Sequence, residues 1–270
     1  MMKSEQVVKT LSNVVRGTTP KKHHLSLIVV LTIIYFVGIV VSIWFYPNQT
    51  YSPLNNFISD MGGIATNPEV YWVFNTTVIL IGILTIPHFI YLYRRFVLIN
   101  EWLTRLMLIS GILGCFGFVC VGLIPEDFKA PHDISALVAF GGFTSAALFT
   151  MLIFLIIKSQ WISPRKFWIL YGPLCITYPL IFIMPNLTSL VSSLSLDLRW
   201  FAWPIWEWTF MGSLTYWIIG VAIITPDRTW ARAYLEKPKI NHPLQGSSHR
   251  SYFVFLRRHY IGNTPLESGQ

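Results

Sequence analysis

Four side chains of this sequence have the types needed for acid–base or nucleophilic chemistry, and all lie in or beside long apolar runs. Ser59 and Asp60 share one polar segment, His132 stands at the start of an apolar run, and Glu207 lies inside another. A carboxylate and an imidazole can act together as general acid and base, and a serine beside a histidine can act as a nucleophile. These four residues are therefore the catalytic candidates.

Six apolar runs must position these side chains, and each has the length of a membrane-spanning helix. A helix rises about 1.5 Å per residue, so about 20 residues cross the roughly 30 Å hydrocarbon layer. The runs cover residues 25–46, 70–93, 106–124, 134–157, 167–187 and 201–224. With 53% hydrophobic and 12% charged residues, the chain is too apolar for an ordinary soluble domain. The sequence predicts an all-α, polytopic integral membrane protein built as a bundle of six transmembrane helices.

The positive charges predict the orientation of this bundle. Eighteen of the 20 Lys and Arg residues fall in the segments that share a side with the N-terminus, and the opposite side keeps Lys129 and Arg199. Loops rich in Lys and Arg stay in the cytoplasm. Both termini are therefore predicted to be cytoplasmic, in a multi-pass protein that we place in the plasma membrane rather than an internal membrane.

The organisation is a single transmembrane domain, 25–224, between two cytoplasmic segments. The first, 1–24, is polar, and the second, 225–270, is basic and partly disordered. Residues 252–260 include both aromatic and basic side chains, so the tail is expected either to contact anionic lipids or to stay disordered. The net charge of +8 is scattered over loops and ends and gives no reason to expect a nucleic-acid partner.

Glu207 is the most informative residue because of its depth. It lies six residues into the last run, roughly 9 Å below the membrane interface. A carboxylate at that depth costs a few kcal/mol unless it is protonated, paired or facing water, so it marks a functional site by default. Asn75 lies at a similar depth in the second run. The structural alternative for both is a hydrogen bond between helices that only locks their packing.

The first outer loop brings further polar groups to the same leaflet. Pro53 is expected to start a short interfacial helix that Gly62 and Gly63 end, which places Ser59 and Asp60 near His132 and Glu207. Other acidic residues have simpler interpretations. Glu126, Asp127 and Asp197 are expected to be solvated, and Asp133 to be a helix N-cap. Four tryptophans of the last helix are expected to form an interfacial belt, namely Trp200, Trp203, Trp206 and Trp208.

Three sequence blocks resemble the DRAM/FRAG/SFK six-helix membrane family and its uncharacterised prokaryotic relatives. They are 56–75, with Asn-Phe-Ile-Ser-Asp-Met-Gly and Asn-Pro-Glu; 122–136, with Gly-Leu-Ile-Pro-Glu-Asp and a histidine; and 206–208, Trp-Glu-Trp. The resemblance implies six helices, cytoplasmic ends and a role in handling membrane lipids, but no single reaction. The positions that match the family motifs are Asn56, Ser59, Asp60, Gly62, Glu69, Asn75, His132 and Glu207.

Three function classes remain open. The first is an outward-facing polar pocket that binds membrane lipid headgroups through Asn56, Asp60, Glu69, Asn75, His132, Asp133 and Glu207. The second is a membrane-embedded lipid hydrolase or acyltransferase that uses Asp60, His132 and Glu207, and the third is a small carrier. No zinc-binding or nucleophile-elbow motif occurs, so neither a metal site nor a cofactor is predicted. Asn48 and Asn186 begin glycosylation sequons on the outer side.

Overall fold

A computed structural model describes residues 2–157, 163–193 and 203–226, and every structural statement below concerns these residues. Within them the chain is helical and forms no strand. The α-helices are α1 (Met2–Val15), α2 (Lys21–Trp44), α3 (Tyr71–Phe96), α4 (Glu101–Leu123), α5 (Lys129–Ile157), α6 (Pro164–Ser193) and α7 (Trp203–Ile224). Two short 3-10 helices, Pro47–Gln49 and Ser59–Gly62, lie between α2 and α3.

Five of these helices are long and apolar enough to cross a membrane, which confirms a multi-pass membrane protein. They are α2, α3, α4, α5 and α7. The fifth predicted run, 167–187, falls inside α6, which is 30 residues long and continues through Pro173, Pro179 and Pro185. Helix α6 is not among the five, so the count of six spans stays a prediction.

The surface of the helices carries large apolar side chains that a soluble protein would bury. Trp44, Phe116, Leu137 and Ile223 are each more than half exposed. Contiguous apolar surface of this extent needs an apolar surrounding. The lipid bilayer supplies it, so these side chains face lipid.

Close helix packing in the bundle depends on small residues, most clearly between α4 and α5. A Cβ atom added at Gly114 would lie 2.6 Å from the ring of Phe143, and one at Gly117 would lie 2.3 Å from the backbone nitrogen of Ala139. Without side chains at these positions, the two backbones approach each other directly. Phe143 also stacks on Phe89 of α3, with ring centroids 5.9 Å apart, and this links the α4–α5 pair to α3.

Two local expectations need correction. The loop helix does not begin at Pro53: residues 53–55 form a turn, and the 3-10 helix covers Ser59–Gly62 only. The reason is that the side chains of Asn56 and Asp60 accept hydrogen bonds from nearby backbone N–H groups, which competes with a helical ladder. Asp133 is not an N-cap, because α5 already begins at Lys129.

The N-terminal polar segment is also more ordered than its composition indicates, since it contains α1. The predictions for Asp197, Arg199, Trp200 and the tail from 227 onward concern residues outside the described ranges. The predicted roles of the Asn186 and Trp203 side chains also fall outside what the structure describes.

Candidate functional site: a polar cavity beneath an anchored loop

The α2–α3 connection, residues 45–70, lies across one end of the bundle, and we call it the roof loop. Four carboxylates of the described residues gather at this end, which we call the carboxylate end. They are Asp60, Glu126, Asp127 and Glu207, and His132 lies beside them. Asp60, His132 and Glu207 thus lie at the same end of the bundle.

Asp60 organises the roof loop from inside. Its Oδ2 atom accepts hydrogen bonds from the backbone N–H of Phe57 at 3.0 Å and from the side-chain amide of Asn56 at 3.2 Å. The side-chain oxygen of Asn56 in turn accepts from the backbone N–H of Ser52. These bonds tie the residues that precede the 3-10 helix to its first turn.

Helix α7 holds the roof loop from below. Glu207 Oε2 accepts a hydrogen bond from the backbone N–H of Ile58 at 3.0 Å. One residue further, the Trp208 indole donates to the hydroxyl of Tyr51 at 3.1 Å, and this hydroxyl donates to the Phe57 carbonyl at 2.8 Å. The intramembrane carboxylate that stood out in the sequence therefore binds the main chain of the loop.

Helix α3 and the α4–α5 loop hold the other half of the roof loop. The Asn75 side chain donates to the Gly62 carbonyl at 3.0 Å. Asp127 accepts from the backbone N–H groups of both Ile64, at 2.6 Å, and Ala65, at 2.9 Å. Asp127 is thus a loop anchor, a role beyond that of a solvated charge.

Asp60 and Glu126 form a pair of neighbouring carboxyl groups. Burial raises the pKa of Asp60 to about 7, and a hydrogen bond and charge repulsion from Glu126 act in the same direction. Glu126 is itself buried, and Lys129 donates to its Oε1 atom at 2.9 Å. Two adjacent carboxylates cannot both ionise cheaply, which favours the protonated form of Asp60 up to near-neutral pH. The sequence did not predict this burial, because a Pro-Glu-Asp loop usually faces solvent.

The hydrogen bond of His132 fixes the role of its ring. Its Nδ1 atom lies 2.7 Å from the Ile124 carbonyl oxygen. A carbonyl only accepts, so Nδ1 carries the proton, and Nε2 is the ring nitrogen that remains for other partners. His132 is buried, and its side chain lines the cavity described next.

A cavity lies directly beneath the roof loop. Its polar lining comes from Ser59 of the 3-10 helix, His132 of α5, Glu207 of α7 and Tyr35 of α2. The rest of its lining is apolar and comes from Ile58, Phe74, Val78, Phe118, Val121, Ala136, Phe140 and Met211. We call it the upper cavity. It contains three of the four catalytic candidates, while Asp60 lies in the loop above it.

A second, more apolar cavity continues from the first toward the middle of the bundle. Tyr35, Phe118 and Met211 line both, so the two spaces share a wall. The lower cavity has a volume of about 560 Å³ when the part that opens to the outside is included. Its polar lining is limited to hydroxyl groups, and those of Thr32 and Thr215 are bonded to carbonyls of their own helices.

Two predicted headgroup ligands lie away from these cavities. Glu69 and Asp133 are exposed, and neither lines the upper or lower cavity. Asn56 and Asn75 are near the site but are engaged with the loop. Sequence reasoning missed Tyr35, because one tyrosine within a long apolar run carries no signal of which side it faces.

The opposite end of the bundle carries a separate buried cluster, the histidine end. His24 Nε2 lies 3.0 Å from His88 Nδ1, and the His24 ring stacks on Tyr91 with centroids 3.5 Å apart. The Arg95 guanidinium lies over the Tyr91 ring, 3.3 Å from its centroid, and donates to carbonyls of the α1–α2 connection. His88 is fully buried.

Metal ligation finds no support in the described residues, where no group of three or more His, Cys, Asp or Glu side chains has a suitable arrangement.

The comparisons with known proteins concern the whole bundle. A family model, "Protein of unknown function (DUF998)", matches residues 29–224. The chain belongs to this family. No curated protein and no solved structure matches this chain. The match extends from α2 to α7, so it includes both cavities and the roof loop.

Proposed function

We propose that this protein binds an amphiphilic membrane lipid, with the lipid headgroup in the upper cavity and apolar chain in the lower one. One observation carries the proposal: a cavity with a carboxylate, an imidazole and hydroxyl groups shares Tyr35, Phe118 and Met211 with an apolar cavity. Ligand sites combine an apolar wall with a few convergent polar groups. Here the polar groups lie at one end, which is the distribution found in a lipid.

The lining indicates the charge of the headgroup. Glu207 contributes a carboxylate and His132 Nε2 an acceptor, whereas no Lys or Arg lines either cavity. Four aromatic rings, of Tyr35, Phe74, Phe118 and Phe140, surround these groups. Carboxylates and aromatic faces both attract cations. A headgroup with an amine or ammonium group therefore fits better than an anionic one.

A lipid hydrolase or acyltransferase is the second candidate, and one observation favours it. Ser59 and His132 line the same cavity, and the Nδ1 hydrogen bond of His132 leaves Nε2 as a potential base. A carrier has less support, because the polar lining of the lower cavity consists of hydroxyl groups alone.

We also propose that α6 is a sixth span. Six spans put both ends of the chain on one side, and the positive charges favour the cytoplasm for these ends. The plasma membrane is the membrane that we propose for the protein. A relation to the DRAM/FRAG/SFK family is part of this proposal and is supported by the three motif blocks in the roof loop, the α4–α5 loop and α7.

The test is lipid retention and turnover in one experiment. The wild type, Glu207→Gln and Ser59→Ala are reconstituted with a total lipid extract, and both retained and free lipids are identified by mass spectrometry. Glu69→Gln is the matched control, since it makes the same change at an exposed residue of the roof loop.

A lipid with an amine-bearing headgroup that is retained by the wild type and Glu69→Gln, and lost in Glu207→Gln, supports binding. A product that forms with the wild type and not with Ser59→Ala supports the enzyme instead. Equal lipid retention by all four proteins, without turnover, contradicts both.

A further inference from the structure

Helix α1 has an apolar face that no part of the described chain covers. Residues 6–11 are all exposed, and Val7, Val8, Leu11 and Val15 are each more than half exposed. At 3.6 residues per turn these four side chains fall within an arc of about 100°. The helix is thus amphipathic, and its apolar side faces away from the bundle.

Basic residues lie on the polar side of α1 and directly after the helix. Gln6, Lys9 and Asn13 point away from the apolar arc, and Arg16 follows the helix at a similar angle. An amphipathic helix with basic residues on its polar side and aliphatic residues opposite is typical of helices that lie in the plane of a membrane surface.

The length of α1 requires an external partner. It has 14 residues, and residues 6–11 are all exposed. Isolated helices of about 12 to 15 residues are marginal in water even with the best helix-forming composition. Partitioning into the interface would supply the missing stabilisation, because burial of an amphipathic face accounts for most helix stability in proteins.

The connection to α2 places α1 at the membrane surface. Arg95 of α3 donates to the carbonyls of Gly17 and Thr19, at 3.2 and 3.1 Å, just before the first span begins at Lys21. Gly17 has a φ of +64°, and a Cβ atom there would lie 2.8 Å from the backbone of Ile90. This turn fixes the end of α1 next to the histidine end of the bundle, within a few residues of the lipid.

We infer that α1 is an interfacial anchor that inserts Val7, Val8, Leu11 and Val15 into a bilayer surface containing anionic lipid. The helix lies at the end of the bundle opposite the roof loop, so this role is independent of the proposed lipid cavity. Its basic residues stay at headgroup level, where they attract acidic lipids.

Site-directed fluorescence tests this inference. The three native cysteines are replaced by alanine, and the environment-sensitive dye NBD is attached at Leu11→Cys or, as the matched control, at Gln6→Cys. Each protein is reconstituted in vesicles of phosphatidylcholine and phosphatidylglycerol in equal amounts. Labelled proteins must keep the thermal unfolding midpoint of the unlabelled chain, which shows that the bundle is folded.

The Leu11 label is expected to shift its emission to the blue and to be quenched by lipids with a nitroxide on a shallow acyl carbon. The Gln6 label is expected to emit as in water and to be quenched by iodide. Equal iodide quenching at both positions would overturn the inference. Protection at Leu11 that disappears on dilution with excess lipid would also overturn it, because a second copy of the chain would then be the partner.

Discussion

Removing the hydrogen bond between Glu207 and Ile58 is the most direct test of how the roof loop is held. Glu207 Oε2 lies 3.0 Å from the Ile58 nitrogen, and Ile58 is 5% exposed. Glu207→Ala removes the acceptor and leaves a buried N–H group without a partner. A hydrogen bond to a charged group contributes about 1.5–3 kcal/mol, so the loop should lose about that much local stability.

Hydrogen–deuterium exchange of the reconstituted protein measures this loss. Since each 1.4 kcal/mol is tenfold in an equilibrium, amide exchange in the peptide around Ile58 should accelerate by about 10- to 150-fold. Glu207→Gln should have a smaller effect, because its amide oxygen still accepts from Ile58. Glu69→Ala, an exposed change in the same loop, is the control and should leave the exchange rate unaltered.

Two results would refute this reasoning. If Glu207→Ala exchanges at the wild-type rate, the hydrogen bond does not restrain the loop and the other anchors suffice. If peptides of α4 and α5 accelerate as much as the roof loop, the substitution has destabilised the whole bundle, and the local assignment is wrong.

Two further predictions follow from particular contacts. Because the pKa of Asp60 is raised from 3.8 to about 7, the folded loop binds its proton more tightly, so loop stability should fall as pH rises from about 4 to 7 and be constant above. Asp60→Asn should abolish that pH dependence in exchange experiments, and an unchanged profile would contradict the carboxyl pair. Gly117→Ala should lower the stability of the bundle by about 1–3 kcal/mol, because its Cβ atom would meet the backbone of Ala139. Gly141→Ala, with no atom within 4 Å, should leave the unfolding midpoint unchanged.

The positions of the spans could be predicted from the sequence because hydrocarbon thickness fixes the length of an apolar run. The helix ends could not. The third run was expected at 106–124, yet α4 starts at Glu101 because Asn100 Oδ1 accepts from the Leu103 N–H and caps it. The run predicted at 134–157 likewise forms a longer helix, α5, which begins at Lys129. Apolar runs mark the hydrocarbon, while helices extend beyond it to their caps.

The site was only partly predictable for a different reason. Asp60, Asn75 and Glu207 stood out because polar groups are costly in an apolar context, and the structure brings all three to the carboxylate end. Their partners are backbone groups of the roof loop, which every residue carries, so no sequence pattern could identify them. The Glu126 carboxyl group was assigned to solvent, because the loop that buries it lies 60 residues earlier in the chain.

The double role of Glu207 links the proposed ligand to the roof loop. The same carboxylate accepts from Ile58 and lines the upper cavity, so a cationic headgroup there would favour its ionised form, which is also the stronger acceptor for the loop. Binding and loop closure would then stabilise each other, and by linkage each would do so to the same extent. A bound lipid should therefore slow the exchange of the Ile58 amide, and this slowing should be lost in Glu207→Ala. A lipid that binds without changing Ile58 exchange would have to occupy the lower cavity alone.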